Sequence, residues 1–422
     1  MQCTGPMHDT LDKPEIAPRR TPVPRGLART GPALLSHGFR PFFLLAAAFA
    51  LLAMIAWVGA LTFGWDVGGS YGALNWHAHE MLFGYTSAAL AGFMLTAIPN
   101  WTGRLPVSGL RLLGLVALWL AGRVSMAMPD ALGVVPSVSI DASFLPAMAI
   151  IAGREIVAGK NWKNLKILGG LTGLALANAA FHWEAIALGQ ALEASRLAVG
   201  VYLLLIAAIG GRIVPSFTRN WLVKAGSSRL PAPFRPFDLG SIVVLGCALA
   251  AWVLLDESLP SAGLAFAASF VQAVRLWRWV GWRTVDEPLL LILHVGYAFV
   301  PIGMLCVGLS ELGWLSPPSA LHVLTVGAIG VMTFGVMTRA SLGHTGRPLT
   351  ASANITVAYL AIIIAATIRP FAELLPAQYH LMLGAAGLCW VVAFVLFLAE
   401  YGPILLQTRR ALINRVQAVP PG

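Results

Sequence analysis

Charge is what this sequence has least of. Only 11% of its 422 residues are Asp, Glu, Lys or Arg, against about 25% in soluble globular chains, and the mean hydropathy is +0.76. So few charges exclude an ordinary water-soluble domain. Cysteine is scarce too. The four cysteines, Cys3, Cys247, Cys306 and Cys389, form no C-x-x-C pair and no C-x-x-C-H, which excludes a paired-thiol motif and covalent haem attachment. No phosphate-binding glycine loop of the G-x-x-x-x-G-K-[ST] type is present. The first 35 residues lack the apolar core of a cleaved signal peptide. The net charge of +10 has no soluble basic domain to carry it, so it gives no sign of a nucleic-acid partner.

Long apolar runs are abundant. Twelve segments are expected to span a bilayer, at roughly 41–63, 78–98, 109–128, 136–153, 165–183, 197–215, 238–255, 259–277, 287–309, 318–338, 350–368 and 379–406, each close to the roughly 20 residues that a span requires. They lack the alternation of barrel strands, and unpaired backbone in lipid costs several kcal/mol per group, so they must be helices. The fold class is an all-α polytopic membrane protein: a twelve-helix transmembrane domain over 36–408, a disordered tail over 1–35 and a short tail over 409–422. Of the 28 Lys and Arg, only Arg123, Arg196 and Arg369 fall on the side opposite to the rest. The positive-inside rule then puts both termini in the cytoplasm.

The stretch from Asn75 to Pro106 organises the chain. It opens on His77, His79 and Glu80, runs apolar to Ile98 and closes on Asn100 and Arg104. As a helix it is roughly 37 Å from His79 to Arg104, longer than the ~30 Å hydrocarbon core, so its two polar ends face opposite sides. Shifted by 243 positions it matches the tenth span at His322, Gly327, Gly335, Met337 and Thr345-Gly346-Arg347. The sixth span fits the same frame more weakly, with Ser195 where the others have His. Three repeats of four helices would produce this pattern, and so would three helices sharing glycines for close packing.

In this topology His77, His79, Glu80, His182 and His322 gather near one membrane face, the outer one. Imidazole suits haem iron and copper, and an ionisable group inside a membrane is by default a functional candidate. His77 and His79 point about 200° apart on a helix, so one is free for a metal while the other meets a second centre or a carboxylate. His294 lies deeper, in the ninth span, either as a hydrogen-bonded core histidine or as an axial haem ligand. Arg212 and Arg339 sit about a turn inside their spans, where a guanidinium wants an anionic partner such as a haem propionate or a quinone headgroup. Arg40 is expected to be an interfacial anchor. His8, His37 and His380 are given no role.

The ordered motifs G-F-R-P-F-F, W-H-A-H-E-M, N-W-T-G-R, G-G-R-I-V-P-S-F-T-R-N, the Leu293-His294 pair near Tyr297, and His322 through L-G-H-T-G-R-P resemble the NnrS family across nearly all of the chain. The resemblance implies a multi-pass protein of the bacterial inner membrane that contains b-type haem and copper and acts in nitric oxide metabolism and resistance to nitrosative stress. It implies nitric oxide as the ligand and a quinol or another electron donor as partner, besides membrane lipids. The resemblance assigns no ligands, and on the topology above the metal candidates are His77, His79, His182 and His322. Glu80 is the candidate proton relay, and His294, Arg212, Arg339 and His344 are the candidates for holding haem. Reduction of nitric oxide to N2O, making the protein an oxidoreductase, competes with a haem-based sensor and with a copper or small-solute transporter.

Overall fold

In the computed structural model, residues 32–255 and 257–407 are described. The expected tails fall almost wholly outside them, as does Asp256. Among the described residues there is no strand, and helices occupy every expected span: α1 (Phe39–Phe63), α2 (Ala73–Thr102), α3 (Leu110–Ala127), α4 (Val134–Ala158), α5 (Leu165–Ala187), α6 (Leu192–Lys224), α7 (Pro236–Leu254), α8 (Leu259–Trp277), α9 (Pro288–Glu311), α10 (Pro317–Thr345), α11 (Ala353–Leu374) and α12 (Pro376–Leu406). Eleven of these are long and apolar enough to cross a membrane. The exception, α5, has the length at 23 residues but carries Asn178, His182 and Glu184, all buried.

Consecutive helices pack as neighbours, and α1 closes the bundle against α12. Arg40 makes that closure. It is buried, and its Nη1 donates to the carbonyls of Leu405 at 2.7 Å and Gln407 at 2.8 Å, groups that the end of α12 would otherwise leave without a partner. It is therefore a helix cap inside the protein, where an interfacial anchor was expected.

The centre belongs to α2, α9 and α10, whose most apolar windows are 78%, 72% and 67% buried, against 28% for α1. The three helices of the expected repeat, α2, α6 and α10, each contain a π-helical stretch, at Glu80–Tyr85, Ile206–Gly210 and Val323–Val331. The first and third begin 243 positions apart, the shift that aligns the sequences. A π turn withdraws carbonyls from the regular ladder, and in a dry interior each needs a donor. Tyr202 of α6 donates to Leu82 O at 2.8 Å, Trp119 of α3 to Gly84 O at 3.1 Å, and Arg275 of α8 to Ala207 O at 3.0 Å. Tyr85 and Thr333, 2.7 Å apart, tie α2 to α10. The repeated glycines are close-packing positions: a Cβ on Gly84 would meet Phe49 at 2.6 Å, and one on Gly327 would meet Phe299 at 2.4 Å.

Candidate functional site

At the start of α2, where its π stretch begins, a buried polar cluster draws on four helices. His79 and Glu80 come from α2, Arg123 from α3, Asp141 from α4, and Asn178 and His182 from α5; all six are under 9% exposed. Asp141 Oδ2 is the meeting point. It lies 3.1 Å from His79 Nε2, 3.0 Å from His182 Nε2 and 2.9 Å from Asn178 Nδ2. Asn178 Oδ1 is itself 3.0 Å from His79 Nε2.

The far nitrogen of each imidazole is also held. His79 Nδ1 lies 2.9 Å from Glu80 Oε1, and His182 Nδ1 lies 2.9 Å from the Tyr71 hydroxyl. Such outer partners fix the orientation of ligating histidines in metal sites. Arg123 bridges both carboxylates, Nη1 to Glu80 and Nη2 to Asp141. Gly84 makes room for it, because a Cβ there would come within 2.7 Å of Nη1. One guanidinium for two carboxylates leaves the cluster one positive charge short. A proton on an imidazole or a metal cation would balance it.

Ligand atoms of His79, Asp141 and His182 all lie within 4.8 Å of one another. Two imidazoles and a carboxylate are a donor set compatible with copper, zinc or iron, and a cation held between them would take the place of the contacts that now run from the two imidazoles to Asp141 Oδ2.

The other expected site residues are distributed elsewhere. His77, on the opposite side of α2 from His79, stacks on Trp57 with ring centroids 4.3 Å apart, and its Nδ1 is buried without a hydrogen bond. His322 and Arg369 lie within electrostatic reach of it. His322 Nδ1 is 2.7 Å from the Pro318 carbonyl, which leaves Nε2 uncommitted, and Arg369 Nη1 is buried without a hydrogen bond. Of the four histidines, His79 and His182 therefore share one cluster, while His77 and His322 lie outside it.

His294 belongs to neither. Its Nε2 is 2.8 Å from Thr218 Oγ1, and it lines a groove of about 460 Å³ between α8 and α9. Arg212, Arg339 and His344 do not line that groove. Arg212 and His344 are exposed; His344 lies beside Phe39 with ring centroids 5.5 Å apart. Arg339 sits 4.2 Å over the Phe217 ring. Of the four residues singled out for haem, His294 and Arg339 rest against adjacent residues of α6, Thr218 and Phe217.

Sequence reasoning missed Asp141 and Asn178, and read Arg123 only as an exception to the charge bias. Each had a signal. Asp141 is the lone acidic residue in the first half of α4, and an unexplained carboxylate or amide inside an apolar span is a functional candidate on cost alone.

Residues 33–409 match the family model described as NnrS protein. No curated protein matches the chain.

Proposed function

The chain belongs to the NnrS family, which makes it a nitric-oxide-related, multi-pass membrane protein of a metal-binding family. From that premise we propose that it binds copper at His79, His182 and Asp141 and b-type haem beside His77 and His322, and that it reduces nitric oxide in a bacterial inner membrane with both termini in the cytoplasm. The observation that carries the reading is the convergence of His79 Nε2, His182 Nε2 and Asp141 Oδ2 in one buried cluster.

The residues present fit the two groups differently. For copper, the donor set, the missing positive charge and the held outer nitrogens all favour a cation. For haem, His77 and His322 each keep a ring nitrogen free of hydrogen bonds, and the unpartnered Arg369 Nη1 suits a propionate, which arginine binds through paired donors. The metals would supply Lewis acidity and one-electron redox chemistry for nitric oxide.

The chain's own part is positioning and protons. Arg123 fixes Glu80 and Asp141, Glu80 and Tyr71 orient the two imidazoles, and Asn178 holds Asp141 from the remaining side. Joining two nitric oxide molecules into N2O and water consumes two electrons and two protons. Glu80, in contact with His79 and Arg123, is the carboxylate that hands a proton inward, and Tyr71 with His182 extends the polar chain on the other side.

Single Ala variants test this, with copper read by elemental analysis and haem by its Soret band. His182→Ala and Asp141→Ala should lose copper and keep haem, while His77→Ala and His322→Ala should do the reverse. Four folded variants with full metal content and an unaltered spectral response to nitric oxide would overturn the assignment.

A further inference from the structure

All six residues of the polar cluster are under 9% exposed, so a cation cannot reach His79, His182 and Asp141 unless something moves. The hydrocarbon layer is no route for an ion. On the side of the cluster where α1 connects to α2 lies the segment 64–72, with Gly64, Trp65, Asp66 and Ser70 exposed and Tyr71 buried beneath them. Tyr71 is the segment's contact with the site. It is 4% exposed, its hydroxyl lies 2.9 Å from His182 Nδ1, and its ring stands edge-on to His79 and His182, with centroids 6.3 and 5.9 Å apart.

The segment is lightly fastened. Apart from ties to α1 and α2, which it joins, it makes hydrogen bonds at two residues among the described ones, Ser70 and Tyr71. The Ser70 N–H donates to Asp130 Oδ2 at 2.9 Å, and the Ser70 hydroxyl donates to Asp130 Oδ1. Asp130 lies in the turn between α3 and α4 and is exposed. The absence of a side chain at Gly69 lets the carboxylate approach, because a Cβ there would stand 2.1 Å from Oδ2. At the two ends, Gly64 and Gly72 take φ of +68° and +84°. Neither is crowded: a Cβ would meet open space at Gly64 and no atom nearer than 3.9 Å at Gly72. Hinges are element-terminal residues of this kind, able to absorb a change of φ and ψ.

We propose that residues 64–72 form a lid, hinged at Gly64 and Gly72, latched by Ser70 on Asp130 and plugged by Tyr71, that opens to admit a transition-metal cation from the outer aqueous face to His79, His182 and Asp141. The inference rests on the copper reading above and on the orientation proposed with it, which puts the α1–α2 connection outside. As the lid swings out, Tyr71 gives up its hydrogen bond to His182 Nδ1 and leaves that imidazole open to water and ions. On closing, the same bond sets the ring again and the phenol seals the site. Ser70 and Asp130 bond to each other and to no residue of the cluster, so the latch sets how fast the ion enters and leaves and not how tightly it is held.

The test separates rate from affinity. Copper-loaded, full-length protein in nanodiscs is mixed with excess EDTA, and the copper remaining is followed by elemental analysis. Asp130→Ala should release copper about tenfold faster, the order expected for loss of a charge-assisted hydrogen bond, and Ser70→Ala should do so by a smaller factor because its backbone N–H remains. Uptake should quicken by the same factor as release in each variant, so that the equilibrium affinity stays that of the parent. Metal-free protein supplies a second readout. Acylation of His182 by diethyl pyrocarbonate, mapped by peptide mass, should rise in Asp130→Ala by the factor seen in release, while His294, buried elsewhere, keeps its parent rate. Release and acylation unchanged in both variants overturn the lid. An equal rise at His294 also overturns it, because the whole bundle would then have loosened. A protein that holds no copper yet shows the selective rise at His182 keeps the lid and sinks the copper reading.

Discussion

Arg123 is the residue whose removal tests the cluster most directly. It is 6% exposed and is bonded to two buried carboxylates, Glu80 and Asp141, while its guanidinium also lies 5.6 Å from the centre of the Phe49 ring. Arg123→Leu keeps some of the packing but leaves both carboxylates without a cation. Breaking one partner of a buried pair typically costs about 3–5 kcal/mol, a large part of the ~5–15 kcal/mol that holds a domain together. Arg123→Lys keeps the charge but loses the fork that reaches two carboxylates, and should fall between Leu and the parent. If the cluster is a cation site, Arg123→Leu makes it one charge more negative and metal should offset part of the loss. A ligand at a hundred times its Kd stabilises by about 2.7 kcal/mol. The assay is unfolding of the detergent-solubilised protein, followed by intrinsic fluorescence, with and without copper. Arg123→Leu within about 1 kcal/mol of the parent would show that the ion pairs contribute nothing. A destabilised variant that copper fails to rescue would refute the cation site.

Further outcomes are open to measurement. Gly84→Ala should push the Arg123 guanidinium off Glu80 and cost about 1–3 kcal/mol by overpacking, read in the same unfolding assay; a neutral result would mean that Phe49 and Arg123 can both retreat. Arg40→Ala should loosen the end of α12 and be seen as faster amide exchange at residues 401–407, with little change in α2. Burial, then Arg40 and then His344 push the His37 pKa down to about 4 from 6.5. The unfolded chain therefore takes up a proton at His37 that the folded chain refuses between about pH 6.5 and 4, and stability falls as pH drops through that window. Thermal unfolding of His37→Gln across pH 4–7 should be flatter than that of the parent, and parallel curves would contradict the shift.

How much of this was legible depends on which force set each feature. Hydrophobic runs of membrane length specify helices almost without reference to partners, and for that reason the helices occupy the twelve expected segments. The 243-position repeat was readable as well, through glycines whose spacing suits close helix contacts, and the π stretches of α2 and α10 start in the same register. Pairing between helices is a different matter. The expectation that His77 and His79 serve different partners follows from their angle on one helix, but nothing local to α2 announces that His79 meets His182 across Asp141 while His77 stacks on Trp57. That depends on which helices are neighbours, and apolar surfaces of similar composition leave the choice open. The arginines show the same limit. Charge bias treats Arg40, Arg275 and Arg339 alike, yet Arg40 caps α12, Arg275 spans Asp238, Tyr297 and the Ala207 carbonyl, and Arg339 stacks on Phe217.

The one helix that falls short of the apolar character shared by the other eleven gives two residues to the candidate site, as many as α2. Helix α5 carries Lys166, Asn178, His182 and Glu184 among its apolar residues. Two of these bind Asp141, while Glu184 accepts from the backbone N–H of Ala194 at 3.1 Å and so fastens the start of α6. Each polar residue costs insertion energy in isolation, roughly 2.5–3.5 kcal/mol for a charge at mid-membrane, and is stabilised only once its partners on α2, α3, α4 and α6 are in place. A span of this kind cannot be strongly selected by the bilayer before the bundle forms. It is held by the cluster as much as it builds the cluster. Weak hydropathy at an otherwise well-defined helical segment is therefore positive information in a membrane chain: it marks where protein contacts have replaced lipid as the stabilising environment, and here that place is the buried meeting point of two imidazoles and a carboxylate.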